Sequence, residues 1–206
     1  MKIDLHTHTI QRSGCSSLDE EDLISCAIRK GLDGLAITDH GKLVPKKTLE
    51  RLNERFHPFR VFTGIEISLI MKYTNYSRGY QDFIVIGIHK PAMASGWTYD
   101  ILLKFVRENG GYIFWAHPFR YDNEFPQEIQ YNQPDAVEIY STNIRSNLAP
   151  RIKKMAEERG CRTIGASDAH FPEDVGYSFI SLEKKVSSDA ELVTELKKGA
   201  FEVIKK

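Results

Sequence analysis

Short apolar runs recur along this chain, and amphipathic stretches fill the intervals between them. The first run, residues 2–5, reads as a strand that stops at His6-Thr7-His8. A helix over 18–30 follows, with Leu23, Ile24, Ala27 and Ile28 in one stripe, Ser17 as its cap and Gly31 as its stop. Leu35-Ala36-Ile37 is a second strand, and Leu49, Leu52 and Phe56 mark a helix near 46–55. Further strands fall at 61–65, 83–88, 112–116, 136–140 and 163–166, with helices near 101–106 and 148–156 among the later ones. A strand near 177–182, a helix near 190–197 and a run at 201–204 complete the pattern. The stretches 72–81 and 119–134 read as long loops.

The strand cores are continuously apolar rather than alternating, which signals burial on both faces as in a parallel sheet. Seven such strands with intervening helices predict a small α/β barrel in preference to an open sheet. A length of 206 residues fits one domain over 1–206 with a large core, and no repeat, linker or low-complexity tract divides it.

The polar residues turn this fold into a chemical expectation. His6, His8, His40, His89, His117 and His170, six of the seven histidines, stand where an apolar run gives out. Asp39, Glu66, Glu138 and Asp168 stand at similar run-ends. In an α/β barrel those ends open onto the loops of the working face. His6 and His8 lie two apart, so on a strand both imidazoles point to one side. Each piece alone is ordinary, since an isolated HxH is more often a turn and a histidine after an aspartate is often a cap. Their conjunction on successive strands is best explained by two or more bound metal ions.

Composition narrows the partners. The 28 basic and 28 acidic residues cancel, so no overall basic field draws in nucleic acid, and polynucleotide binding is not favoured. No apolar run approaches the length of a membrane span. Cys15, Cys26 and Cys161 are odd in number and lack CxxC spacing, as expected of reduced thiols. Met1-Lys2-Ile3-Asp4-Leu5-His6 leaves no room for a signal peptide, and a cytoplasmic location is expected.

Leu5-His6-Thr7-His8-Thr9, Ile37-Thr38-Asp39-His40, Gly64-Ile65-Glu66, Ile86-Gly87-Ile88-His89, Ala116-His117-Pro118 and Ser167-Asp168-Ala169-His170 resemble, in order, the motifs of the PHP (polymerase and histidinol phosphatase) superfamily. The resemblance implies a distorted (β/α)7 barrel with two to three divalent ions, zinc, iron or manganese, at the C-terminal ends of its strands. By the same resemblance His6, His8, Glu66 and Asp168 hold one metal. Glu66 bridges to a second, shared with His89 and His117. His40 and His170 hold a third together with a residue of the loop after His8. One position departs: Gly14 stands where the family commonly carries His or Asp, with Cys15 as the neighbouring soft ligand. A two-metal site with a weak or empty third position is therefore expected.

The implied activity is hydrolysis of a small phosphorylated metabolite or nucleotide, by attack of a metal-bridging hydroxide on phosphorus. Asp168, His170 and His40 are the candidates for moving the proton. Arg120 and Arg145, on loops after the fifth and sixth strands, are the candidates for gripping the phosphate with a planar guanidinium, and Arg12 is a third. Asp39 and Glu138 read as groups that orient or line the site. Trp115, Tyr121 and Tyr140 read as packing. Two alternatives stay open: an amidohydrolase-type C–N hydrolase, which also opens with HxH on its first strand, and a non-catalytic metal-binding module of this fold.

Overall fold

The apolar runs become the strands of one nine-stranded sheet that curls until its two sides nearly meet. The computed structural model describes residues 1–73, 78–90, 96–120 and 125–206. In chain order the elements are β1 (Lys2–Thr7), α1 (Glu20–Arg29), β2 (Gly34–Ile37), α2 (Lys46–Arg55), β3 (Arg60–Lys72), β4 (Arg78–Ile86), α3 (Tyr99–Glu108) and β5 (Tyr112–Trp115). They continue with α4 (Gln127–Tyr131), β6 (Ala136–Tyr140), α5 (Ala149–Arg159), β7 (Arg162–Gly165), β8 (Ser178–Leu182), α6 (Asp189–Lys198) and β9 (Phe201–Lys205). The α/β class expected from the pattern is therefore present.

The sheet order is β7-β6-β5-β4-β3-β2-β1-β8-β9. β1, β2 and β3 are mutually parallel, as are β5, β6 and β7, but β4 runs antiparallel to both its neighbours. The chain just beyond β7 returns to β1 through a parallel bridge between Thr7 and Ala169, reinforced by His8 N–H donating to Ala169 O at 3.0 Å. β8 and β9 add an antiparallel pair on the other edge of β1. Gly165 lets β7 close against that pair, because a Cβ there would lie 2.6 Å from Val203 Cγ1.

Seven uniform strand–helix units are thus not what forms. β3 runs six residues past Glu66 and pairs with β4 from Lys72↔Arg78 to Gly64↔Ile86, so the polar stretch 72–81 belongs largely to a hairpin, its tip lying outside the described residues. Continuous apolarity reported burial on both faces correctly, but it carries no information on strand direction. The cap of α1 also falls two residues later than the expected Ser17. Asp19 accepts from Asp22 N–H at 2.7 Å, and the helix starts at Glu20.

Packing explains the layering. Ile3, Phe62, Ile84, Phe114, Ala136, Ile164 and Ile180, drawn from strands all round the sheet, meet in one interior cluster capped by Leu192, Val193 and Leu196 of α6. Outside, α3 and α5 cover β3 to β6, while α1 and α2 cover β2 and β3. Burying each such aliphatic side chain contributes about 1.5–3 kcal/mol. No helix among the described residues is long and apolar enough to cross a membrane.

Candidate metal centre

Two irregularities of the sheet fall at its polar rim. The β1–β2 pairing shifts register between Asp4 and Thr7, and the β6–β7 pairing shifts between Glu138 and Tyr140. Bulges re-aim side chains next to functional sites, and here they flank His6 and Glu138. Two more site residues adopt left-handed backbone that glycine favours, His117 with φ 29° and Asp168 with φ 56°. Such positions cost on the order of 1–3 kcal/mol and persist where surrounding bonds over-determine them. His117 N–H donates to Glu138 Oε2 at 2.8 Å, and Asp168 O accepts from Thr142 Oγ1. Gly64 brings β3 close to β2: a Cβ there would stand 2.6 Å from Thr38 Cγ2.

Together these features gather His6, His8, His40, Glu66, His117, Asp168 and His170 at one rim. His6, His8, Glu66 and Asp168 are at most 1 % exposed. His6 Nε2 lies 3.4 Å from Glu66 Oε2 and 3.2 Å from Asp168 Oδ1. His8 Nε2 lies 3.2 Å from each of the same two oxygens. Each imidazole nitrogen therefore lies close to an oxygen of both carboxylates, as neighbouring ligands on one ion do. Around an ion with bonds of 2.0–2.2 Å, tetrahedral ligands sit about 3.3–3.6 Å apart. A second group is Glu66 Oε1 with His117 Nε2 at 3.2 Å, beside His6. A third is His8, His40 and His170, whose rings stack with centroids 4.5 and 4.3 Å from His8.

The donor chemistry fits a cation. His8 Nε2 is buried with no hydrogen-bond partner, an arrangement that costs stability unless something else meets that atom. His6 Nδ1 faces Glu138 Oε1 at 3.1 Å, so in the neutral ring the Nε2 lone pair confronts two carboxylates. Only a proton or a metal resolves that conflict. In the metal-free protein the proton does so. Burial pushes His6 down, yet Asp168, Glu138 and Glu66 outweigh it and hold the ring well above its ordinary value. His8 and His117 are raised in the same way against burial, by Asp168 and Glu66 and by Glu66 and Asp168 respectively. Burial pushes Glu66 and Asp168 up, but the facing imidazoles, His6 foremost, hold both below the usual carboxylate range. His170, by contrast, is lowered by burial and by His8.

His89 is the expected ligand that the structure does not bring to this rim. It follows the end of β4, and because β4 is antiparallel that end lies at the opposite side of the sheet. There His89 Nε2 faces Val44 O at 3.2 Å. The residue that β4 does present near His117 is Asp82 in mid-strand, buried, with Oδ2 3.9 Å from His117 Nδ1 and with Ser68 Oγ donating to its carboxylate.

The supporting groups sort themselves by contact. Asp39 accepts from Thr9 N–H, Thr9 Oγ1, Ser13 Oγ and Arg12 Nε, so it organises the first loop and meets no ligand-type group directly. Arg12 is held by Asp39 and Glu20 at 2.7 and 2.8 Å, which removes it from the phosphate candidates. Gly14 is exposed, and its neighbour Ser13 supplies the polar atom of that loop, 3.3 Å from His8 Nδ1 and accepting from His40 N–H. Burial and the charges of Glu66, Asp168 and Asp39 push the exposed Cys15 thiol up, against thiolate formation. Arg120 Nη1 stands 3.9 Å from Asp168 Oδ2, whereas Arg145 is exposed on the loop after β6. Asn143 on that loop donates to Asp168 Oδ2 at 2.6 Å. Trp115 is fully buried and packs edge-on to Phe119 and Phe125, as expected of a packing residue. Tyr121 lies outside the described residues. Ser13, Asp82 and Asn143 were not anticipated. The only signal in the sequence was a polar residue beside an apolar run, at the start of the run in the case of Asp82.

A family model described as the PHP domain matches residues 4–150, and one described as PHP-associated matches residues 150–201. The chain belongs to the PHP family. Its PHP relatives include a "probable phosphatase" of Caldicellulosiruptor saccharolyticus, 24 % identical, with 85 % of this chain and 82 % of that protein aligned. The DNA polymerase/3′-5′ exonuclease PolX of Bacillus subtilis is 23 % identical over 82 % of this chain but only 34 % of its own length. Among solved structures, a two-domain protein of Bacteroides vulgatus containing a predicted PHP-like metal-dependent phosphoesterase superposes with a TM-score of 0.70 at 16 % identity, over 99 % of this chain and 64 % of that one. An amidohydrolase of Chromobacterium violaceum, with bound sulfate and no metal, gives 0.68 at 15 % identity over 100 % and 98 %. At such identities the structural likeness establishes the fold alone.

Proposed function

We propose that this PHP protein is a metal-dependent phosphoesterase acting on a small phosphorylated metabolite or nucleotide. One observation carries the reading: the buried Nε2 atoms of His6 and His8, at the end of β1, each lie 3.2–3.4 Å from an oxygen of both Glu66 and Asp168, the spacing of neighbouring ligands on one cation. His6, His8, Glu66 and Asp168 hold the first ion. Glu66 reaches a second through its other oxygen, with His117, and His40 and His170 beside His8 are the donors for a third. The all-imidazole character of that third group suits zinc or iron, and the carboxylates of the first two groups suit manganese as well.

Divalent ions so held acidify a bound water and neutralise the charge that builds on phosphoryl oxygens. The protein's own groups do the rest. Arg120, partly exposed beside Asp168, is placed to grip a phosphate oxygen with its fork, and Arg145 stands ready on the neighbouring loop. Asp168, His170 and His40 are the proton carriers. His40 is 45 % exposed at the rim, open to the leaving oxygen, and His170 is neutral near pH 7 and so accepts a proton. Glu138 orients His6 through Nδ1 and fixes the backbone of His117.

The balanced charge favours a small substrate over a tracked polynucleotide, although PolX carries a polymerase and exonuclease name. Three unpaired cysteines without CxxC spacing fit a reducing compartment, and the cytoplasm is the proposed location. The amidohydrolase neighbour keeps C–N hydrolysis as the second reading. Elemental analysis of the purified protein, coupled to a screen of phosphoesters and of amides, separates them. Two or more divalent ions per chain with release of inorganic phosphate is the expected result. Release of amine or ammonia would favour the second reading, and bound metal with no turnover would mark a non-catalytic module.

A further inference from the structure

We propose that the open face of the β3–β4 hairpin, with Trp97, is the binding site for a flat ring on the leaving group of the phosphoester. The inference rests on the phosphoesterase reading and deepens it.

Beyond Ile67 the burial of β3 alternates: Ser68, Ile70 and Lys72 are exposed while Leu69 and Met71 are buried. Register sets the partners on β4 as Glu66↔Ile84, Ser68↔Asp82, Ile70↔Tyr80 and Lys72↔Arg78. Residues two apart share a face. One continuous ribbon therefore leads from the bridging carboxylate Glu66, past a hydroxyl–carboxylate pair, to an apolar pair and then to two cations. Ile70 and Tyr80 are 60 % and 59 % exposed, an adjacent apolar pair left open to solvent beside a highly polar site.

A cleft of about 460 Å³ runs along β3 from His40 and Glu66 to Ile70, Tyr80 and Trp97, and Ile65, Ile67 and Leu69 of the strand's other face also line it. Small-molecule sites have this make-up, apolar walls with a few convergent polar groups. Two strand residues span ~6.8 Å, so the Ile70–Tyr80 pair lies ~13 Å along β3 from Glu66. A phosphoryl group at the carboxylate end leaves that pair to meet a ring several bonds from phosphorus. Tyr80 offers an aromatic ring to it and Ile70 an aliphatic side chain, while Trp97, packed against Phe105, borders the same cleft. The run of groups along the ribbon also fixes polarity: phosphate inward, ring outward. Trp115 and Tyr140, aromatic residues nearer the motifs in sequence, are not among the residues lining this cleft.

The test uses the metal-loaded protein and two non-hydrolysable probes, 4-phenylbutylphosphonate and butylphosphonate, titrated by calorimetry and by tryptophan fluorescence. Trp97 and Trp115 are the two tryptophans, and Trp115 is fully buried, so a change in emission reports Trp97 and should vanish in Trp97→Phe. Phenylbutylphosphonate is expected to bind roughly tenfold more tightly than butylphosphonate and to perturb the emission, the scale of one aromatic contact. Tyr80→Ala and Ile70→Ser, both at exposed positions, should bring the affinity ratio close to one. Equal binding of the two probes by the wild type, or a ratio that survives both substitutions, would overturn the ring site and leave the phosphoesterase reading standing. Binding of neither probe, with no phosphoester turned over, would overturn both.

Discussion

His117 and His89 look alike in sequence, each closing a short apolar run, and the fold sends them to opposite ends of the sheet. His117 ends 2 % exposed with Nε2 3.2 Å from Glu66, whereas His89 faces a backbone carbonyl behind the rim. The difference lies wholly in strand direction. β5 runs with β1 to β3, and β4 runs against them. The rim level is reached past the end of β5 at His117 and in the middle of β4 at Asp82, whose carbonyl accepts from Ala116 N–H.

Removing the shared carboxylate should separate the two ends most sharply. Glu66→Ala takes away an oxygen from the first ligand set and the partner of His117 in the second. Metal content is expected to fall by at least one ion per chain, and turnover by at least ~10²-fold, the scale set by losing one electrostatic group at a reacting centre. Metal stoichiometry and activity measured on the same preparation check this. Full metal content in the variant would show that the rim is not organised around Glu66.

A smaller effect should follow from Glu138→Gln, which touches no proposed metal but faces His6 Nδ1 and holds the His117 amide. Weakening such an orienting carboxylate costs roughly ten- to hundredfold in metal affinity or activity. Chelator competition reads the affinity directly, and an unchanged affinity would reduce Glu138 to packing.

The rim should also invert the pH dependence of stability according to whether metal is present. In the metal-free protein His6, His8 and His117 are raised above 6.5, so their pairing stabilises fully below that pH and is lost as pH rises through the folded values. Glu66 and Asp168 are lowered, so their share is present above the ordinary 4.5 and 3.8 and is lost as pH falls. The chelated protein should therefore melt highest between about pH 5 and 6.5 and lose stability toward pH 8.5, each kcal/mol moving Tm by about 2–4 °C. Metal requires unprotonated imidazoles, so the gain in Tm on adding manganese or zinc should grow over the same interval. Melting curves with and without chelator decide it. Parallel trends in the two states would mean that the imidazoles titrate without regard to the ion.

How much of this could be read from residues alone depends on what each reading required. The αα and βα periodicities located most helices and strands, and 46–55 and 136–140 coincide with α2 and β6. His6, His8, Asp168 and His170 stand at or just past the ends of β1 and β7, which share one side of a mostly parallel sheet, whereas Glu66 lies mid-strand in β3, bridged to His40. What stayed hidden needs the third dimension. The direction of β4, the register shifts at His6 and Glu138, and the left-handed backbone of His117 and Asp168 leave no pattern in the sequence. Ser13 Oγ, donating to Asp39 26 residues away, stands 3.3 Å from His8 Nδ1, and nothing local to Gly14 announces it.

The weakest effect tests the comparison most strictly. His89→Ala removes a side chain that sits in a family-like motif yet, in this fold, contacts only the Val44 carbonyl among described residues. If strand direction decides function, metal stoichiometry and turnover should stay within about twofold of wild type, with at most ~1 kcal/mol of stability lost with one hydrogen bond. His117→Ala, made in parallel, should lose both metal and activity. A His89 variant that lost a metal ion as His117→Ala does would place the two histidines on one centre. That outcome would require β4 to leave Ile86 toward the rim, against the nine paired residues that bind it antiparallel to β3.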